Sequence, residues 1–219
     1  MSQYLWFGFS DTYMPLLAFL VYLCLYKKIR WQEADMAFYC LFSFLLFAIT
    51  NVMVVHNINN LFLYHFYSLF EVAFLGYYIL KLIYGSKFIK PWLLVSSGYL
   101  VYWILNIIYI EPIESFNMIS SGIANLVVLF LCMVYLLGLS TRDEILYFQR
   151  MPSFWIVSGF LIFSALSLMV FITYDNFNDS QQANLFWTVV ISIATFCKFV
   201  LISVGFLCYR RSPSSPHPR

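Results

Sequence analysis

Residues 60–84, NLFLYHFYSLFEVAFLGYYILKLIY, form an apolar run that is interrupted near its middle by one carboxylate, Glu71. A helix of this length crosses the roughly 30 Å hydrocarbon layer of a bilayer, because each residue adds about 1.5 Å. An ionised side chain at the centre of such a helix costs about 2.5–3.5 kcal/mol on insertion scales, so it indicates a functional site. The stretch therefore predicts a membrane-spanning helix with a buried charge.

Further apolar spans lie on both sides of this one, and the chain as a whole is 63% hydrophobic and 10% charged. A soluble domain carries about 25% charged residues, so this chain cannot cover a water-facing surface. We predict an all-α membrane protein, a bundle of seven transmembrane helices in one domain over residues 1–211. The seven predicted spans are Thr12–Tyr26, Asp35–Val55, Asn60–Tyr84, Pro91–Ile110, Asn117–Leu139, Pro152–Tyr174 and Ala183–Tyr209.

The two ends of the chain differ in composition from the six longer spans. The first span is short for a membrane helix unless it begins before Thr12, near Leu5, and it contains Pro15. The last eight residues, 212–219, read SPSSPHPR. A segment this rich in Pro and Ser cannot bury an apolar face, so we expect a disordered cytoplasmic tail.

The distribution of Lys and Arg predicts the orientation of the bundle. Basic residues follow the first, third, fifth and seventh spans, whereas the joins HNINN (56–60), EPIES (111–115) and DNFNDSQQ (175–182) contain none. Cytoplasmic loops are enriched in Lys and Arg, so this pattern places the N-terminus outside and the C-terminus in the cytoplasm. We expect a multi-pass protein of a bacterial inner membrane. The pI near 8.2 follows from this topology and gives no reason to expect a nucleic-acid partner.

A second charge lies deep in the seventh span, where Lys198 stands among apolar residues. Spans three and seven run in the same direction, and the helical rise places Glu71 roughly 15 Å and Lys198 roughly 18–22 Å from the outer end. An ion pair near the midplane is therefore geometrically possible. Three interpretations remain open: a structural staple that fixes helix register, a site for a ligand, ion or proton, or two charges that never meet.

Other polar and aromatic residues indicate a vestibule above this pair. Tyr64, Tyr67 and Ser68 share the helix face of Glu71, while Trp187 and Thr195 share that of Lys198. His65, Asn51 and Asn125 fall at similar depths, although His65 is rotated by roughly 100° from the Glu71 face. We predict that these eight residues line a polar vestibule that opens outward, with the two charges at its floor. The alternative is hydrogen bonding between helices without a site.

Catalytic and metal-binding patterns are missing from the sequence. It contains no P-loop, GxGxxG, GxSxG or HExxH motif, and its five cysteines lie inside apolar spans without a CxxC pair. We therefore expect no enzymatic activity and no metal site. The expected partners are the lipid bilayer, a small-molecule ligand from the outer side, and a cytoplasmic or membrane signalling protein.

The stretches NNLFLYHFYSLFEVAFLGYY (59–78) and FWIVSGFLIFSALSLMVF (154–171) resemble a family of small, uncharacterised bacterial seven-helix membrane proteins. Some members of that family accompany sensor kinases, which implies signalling. The layout also resembles microbial rhodopsins. That likeness implies retinal as cofactor, with Lys198 as the Schiff base and Glu71 as counter-ion. The chain departs from that family at residue 194, which is Ala where the family usually has Asp. It is also similar in layout to small sugar transporters built on a three-one-three repeat, but lacks their Pro-Gln signature.

These observations favour an integral membrane sensor or ligand-binding module. A small secondary transporter or proton-coupled carrier would use the same charged pair. A retinal-binding photoreceptor and a structural subunit of a membrane complex are further alternatives.

Overall fold

The computed structural model describes residues 2–29, 33–141, 150–174 and 181–208, without the side chains of residues 2–10, 28, 174 and 181–184. The described chain is helical and contains no β-strand. Its helices are α1 (Ser2–Ile29), α2 (Ala34–Val55), α3 (Leu61–Tyr84), α4 (Ile89–Tyr109), α5 (Ile119–Ser140), α6 (Pro152–Tyr174) and α7 (Gln181–Cys208), with a short 3₁₀ turn at Gly85–Lys87. The predicted tail 212–219 lies outside the described residues.

Six of these seven helices, α2 to α7, are long and apolar enough to cross a membrane. The protein is therefore an all-helical protein of multi-pass membrane type. Helices α2 to α7 begin and end within about two residues of the predicted spans. Helix α1 differs: it starts at Ser2 rather than near Thr12 and includes Pro15. Within the residues that the structure describes, α1 is not among the six helices that are long and apolar enough for a span.

Local chemistry explains several of the helix ends. Pro152 is the first residue of α6 and Pro91 the third of α4, positions where proline removes no helical hydrogen bond. Asn59 Oδ1 accepts a hydrogen bond from the Leu61 backbone N–H at 2.9 Å, at the start of α3. Glu111 caps α5, since its carboxylate accepts the backbone N–H groups of residues 118, 119 and 120 at 2.6–3.1 Å.

Six helices form a closed ring, and the seventh lies outside it. Around the ring each helix packs on the next in the order α1, α2, α3, α5, α6, α7 and back to α1. Helix α4 packs on the outer side of α3 and touches α5. Two indoles hold it there: Trp92 Nε1 donates to Ala73 O at 2.8 Å, and Trp103 Nε1 donates to His65 O at 2.9 Å.

One half of the ring is solid and the other half is hollow. Toward the C-terminal ends of α3 and α7, fully buried apolar side chains fill the interior, among them Ile79, Phe160, Phe199, Ile202 and Phe206. Toward the N-terminal ends of α3, α5 and α7, a cavity takes their place. The boundary between the two halves lies at Glu71 and Lys198, near the middle of their helices.

Candidate functional site

The two buried charges meet across the ring. Lys198 Nζ on α7 lies 3.5 Å from Glu71 Oε1 on α3. Lys198 is 2% exposed and Glu71 6%, so both charges are buried. Each charge would be costly alone at this depth, and the opposite charge offsets much of that cost.

Tyr39 on α2 joins the pair into a network. Its hydroxyl donates to Glu71 Oε1 at 2.7 Å and accepts from Lys198 Nζ at 3.2 Å. Because the Tyr39 proton is used by Glu71, the Tyr67 hydroxyl at 2.9 Å is the donor in the Tyr67–Tyr39 bond. Ser43 Oγ lies 3.4 Å from Tyr67 OH and adds a fourth side chain to the series of hydrogen bonds. A directed series of hydrogen bonds therefore ends on the Glu71 carboxylate.

Aromatic rings cover the remaining side of the lysine. The Phe163 ring centroid lies 3.6 Å from Lys198 Nζ, and the Phe199 centroid lies 5.0 Å away. Phe160 and Tyr39 follow at 5.8 and 5.7 Å. The face of an aromatic ring attracts a cation, most strongly where water is excluded. The ammonium is thus held by a carboxylate, a hydroxyl and several ring faces.

Above this floor lies a cavity of about 430 Å³. It is lined by side chains from every helix except α4, and it runs from Lys198 and Glu71 toward Asp11, Phe116 and Trp187. Trp187 and Lys198 are eleven residues apart on α7, so the cavity is roughly 16 Å deep along that helix. A pocket of this size, mostly apolar with a few fixed polar groups, is typical of small-molecule sites.

Eight of the ten residues that the sequence suggested for the site line this cavity. They are Tyr64, Tyr67, Ser68, Glu71, Asn125, Trp187, Thr195 and Lys198. The helical spacing that grouped Tyr64, Tyr67 and Ser68 with Glu71 on α3 corresponds to one wall. Their roles toward a ligand remain a prediction.

The structure does not place Asn51 or His65 on the cavity wall. Asn51 is exposed, and its Nδ2 donates to Thr12 Oγ1 at 2.6 Å, which joins α2 to α1. His65 is fully buried with its Nε2 3.2 Å from Ser115 O. Depth along a helix placed both residues at the level of the cavity, but rotation about the helix axis turns them away from it.

Several residues of the site were not anticipated from the sequence. Tyr39 and Phe163 complete the floor, and Asp11 contributes a carboxylate from α1. Asn117, in the turn before α5, donates its Nδ2 to Tyr64 O at 2.9 Å and Ser68 Oγ at 3.2 Å. Asp11 was detectable as an acidic residue next to a predicted span, whereas Tyr39 and Phe163 carry no distinguishing signal in a chain with 17 Tyr and 24 Phe.

Among the described residues that line the cavity, two carry a buried polar atom without a hydrogen-bond partner: Asn117 Oδ1 and Ser167 Oγ. Their residues are 2% and 1% exposed. Buried polar atoms are normally paired, so these two leave hydrogen-bonding capacity unused in residues that line the cavity. In the part of the chain that the structure describes, no three His, Cys, Asp or Glu side chains are grouped so as to hold a metal ion.

Comparisons with protein-family models, curated proteins and solved structures find no match to this chain. The interpretation of the cavity therefore rests on its geometry and chemistry.

Proposed function

We propose that this protein is an integral membrane ligand-binding module. A small molecule enters the cavity from the outer side of the membrane and settles above the Glu71–Tyr39–Lys198 network. The observation that supports this most is the cavity of about 430 Å³ at the centre of six packed helices, with a buried ion pair as its floor. Such a cavity serves no purpose for packing, because protein interiors are normally filled.

The outward direction of the cavity follows from charge. The cavity lies toward the N-terminal ends of α3, α5 and α7. The joins at that end, residues 56–60, 111–115 and 175–182, contain no Lys or Arg, while those at the opposite end do. The positive-inside rule then assigns the cavity to the outer face and the basic joins to the cytoplasm.

A sensor is favoured over a carrier because apolar side chains fill the ring below the charged pair. Below the pair, Ile79, Phe160 and Ile202 are fully buried in the apolar half of the ring. A transporter would need a second arrangement that opens this half. In a sensor, the ligand changes the hydrogen-bond network of Tyr39, which joins α2, α3 and α7. A cytoplasmic or membrane partner protein then binds differently at the basic joins.

Cysteine accessibility tests the proposed cavity. In a variant with the five native cysteines replaced by alanine, Ser121→Cys and Thr195→Cys place thiols on the upper and lower cavity wall. Both should react with a membrane-impermeant methanethiosulfonate reagent added from the outer side. Ser203→Cys, on α7 below the pair and outside the lining, is the matched control and should stay unmodified. Protection of both cavity positions from the reagent would overturn the proposal.

Two other functions of the same cavity give different results. A carrier would accumulate a bound compound inside proteoliposomes, whereas a sensor would bind it without flux. A retinal photoreceptor would gain a visible absorbance band when retinal is added, and Lys198→Ala would lose it. Lys198 Nζ lies at the cavity floor, within reach of an aldehyde, but it is already held by Glu71 and Tyr39.

A further inference from the structure

We propose that the ligand of this cavity is a small organic cation, an ammonium group carried on an apolar or aromatic body. This inference rests on the proposed function, since it names the class of molecule that the cavity binds. Four features support this inference. They are the charged groups of the cavity wall, a hydrogen-bond acceptor without a partner, the aromatic surface of the wall, and the outer joins.

The first feature is the balance of charged groups. Two carboxylates, Asp11 and Glu71, and one ammonium, Lys198, line the cavity. Lys198 is already held by Glu71 at 3.5 Å, by Tyr39 OH at 3.2 Å and by the Phe163 ring at 3.6 Å. An anion would have to compete with the Glu71 carboxylate for this lysine. A cation meets two carboxylates in the described lining, Asp11 and Glu71, and a carboxylate has acceptor positions for more than one hydrogen bond.

The second feature is the orientation of Asn117. Its Nδ2 donates to Tyr64 O and Ser68 Oγ, so the side-chain amide cannot be turned over without losing both bonds. Its Oδ1 is therefore fixed as an acceptor, and that atom is buried beside the cavity without a partner. Only a hydrogen-bond donor satisfies it, and a carboxylate ligand offers none. Ser167 Oγ, also unpartnered, can accept a further hydrogen bond.

The third feature is the aromatic surface of the wall. Phe47, Tyr64, Phe116, Phe171 and Trp187 line the cavity together with apolar side chains. Ring faces bind ammonium groups, and the same rings bury an apolar body. The fourth feature is the outer joins, which contain no Lys or Arg and include the exposed Glu114. An entrance with negative potential raises the local concentration of cations.

Three probes of similar size and different charge test this inference. They are 2-phenylethylammonium, 3-phenylpropan-1-ol and 3-phenylpropionate, titrated calorimetrically into the full chain in phosphatidylcholine nanodiscs. We expect the ammonium to bind at least about tenfold more tightly than the alcohol, a difference near 1.4 kcal/mol, and the carboxylate to bind most weakly. Asp11→Asn should reduce affinity for the ammonium and leave that for the alcohol unchanged.

Serine variants provide a control for folding. Ser167 and Ser192 are both buried with an unpartnered hydroxyl, but only Ser167 lines the cavity. Neither alanine substitution removes a hydrogen bond within the protein, so both variants should keep their thermal stability. Ser167→Ala should weaken binding of 2-phenylethylammonium several-fold, and Ser192→Ala should not.

The binding and cysteine experiments together distinguish a wrong ligand class from a wrong function. If the carboxylate binds best, or all three probes bind equally, the cation assignment is wrong while the cavity remains a binding site. If no probe binds and the cysteines at positions 121 and 195 are also unreactive, the proposed function itself fails. If no probe binds but those cysteines react, the cavity is open and the assigned ligand class is wrong.

Discussion

At the scale of single residues, Tyr39 holds the two charges of the cavity floor in place. Tyr39→Phe removes one hydroxyl and leaves the ring that stacks among Phe70, Phe74, Phe160 and Phe199. Glu71 then loses a donor at 2.7 Å and Lys198 an acceptor at 3.2 Å, both in a buried site. We expect the free energy of unfolding in detergent to fall by about 1–3 kcal/mol.

Tyr67→Phe is the matched control for that measurement. The Tyr67 hydroxyl makes a neutral hydrogen bond to Tyr39 at 2.9 Å and a longer contact to Ser43 at 3.4 Å. Neutral pairs contribute about 1 kcal/mol, less than hydrogen bonds to charged groups. An equal or greater loss in Tyr67→Phe would contradict the view that Tyr39 supports the charges.

The charged pair itself gives a second prediction at this scale. Glu71→Gln or Lys198→Met alone leaves one uncompensated charge in the bilayer interior, and breaking a buried pair costs about 3–5 kcal/mol. The double variant removes both charges, so its loss of unfolding free energy should be smaller than the sum of the two single losses. Strict additivity in this double-mutant cycle would mean that the two side chains do not interact.

Some residues of the cavity floor could be predicted from the sequence, and others could not. A charge in an apolar run is conspicuous, so Glu71 and Lys198 were found. Tyr39 looks like any other aromatic residue in an apolar helix, and its role depends on a proton donated across the ring. Asn51 was assigned to the wall from its depth, and His65 was assigned there in spite of its rotation of roughly 100° from the Glu71 face, since a sequence shows how deep a residue lies more readily than which neighbour it faces.

At the scale of elements, the closeness of α6 and α7 depends on glycine. A Cβ added at Gly205 would lie 2.7 Å from Ile156 Cγ1 and 3.0 Å from Pro152 O, so the helices would have to separate. We expect Gly205→Ala to lower the free energy of unfolding by about 1–3 kcal/mol, as overpacked cores do. Thermal unfolding of the purified protein measures this.

Gly138→Ala on α5 separates crowding from helix propensity. A Cβ at Gly138 meets nothing within 4 Å. Alanine favours a helix over glycine by up to about 1 kcal/mol, so this variant should be neutral or more stable. If both alanine variants behaved alike, close packing at Gly205 would not be the cause.

Helix boundaries were the most predictable feature at this scale. Spans bounded by polar joins and by Pro91 or Pro152 gave α2 to α7 almost to the residue. Helix α1 was harder, because polar residues such as Ser10, Asp11 and Thr12 interrupt its apolar pattern. That same interruption places Asp11 on the cavity wall, so the feature that obscured the helix contributes to the candidate site.

At the scale of the whole molecule, the ring could not be derived from the order of the spans. Hydropathy shows that helices lie in a membrane but not which of them are neighbours. Helix α4 follows α3 in sequence and is as apolar as a membrane span, yet it stands outside the ring, held by indole bonds to Ala73 O and His65 O. The cavity exists because α3 packs on α5 and leaves α4 outside.

The number of membrane crossings determines on which sides of the membrane the two termini lie. Seven crossings put the termini on opposite sides of the membrane, whereas six, with α1 outside the bilayer, put them on the same side. We expect seven, because α1 packs on both α2 and α7 within the ring.

In a cysteine-free variant, cysteines at Ser2 and Ile58 should react with an impermeant maleimide in intact cells, and cysteines at Lys87 and Ser214 should react only after lysis. A protected Ser2 position with a reactive Ile58 position would mean that α1 does not cross, and reaction at Lys87 in intact cells would reverse the orientation. Either result would change the side from which a ligand reaches Asp11 and the cavity floor.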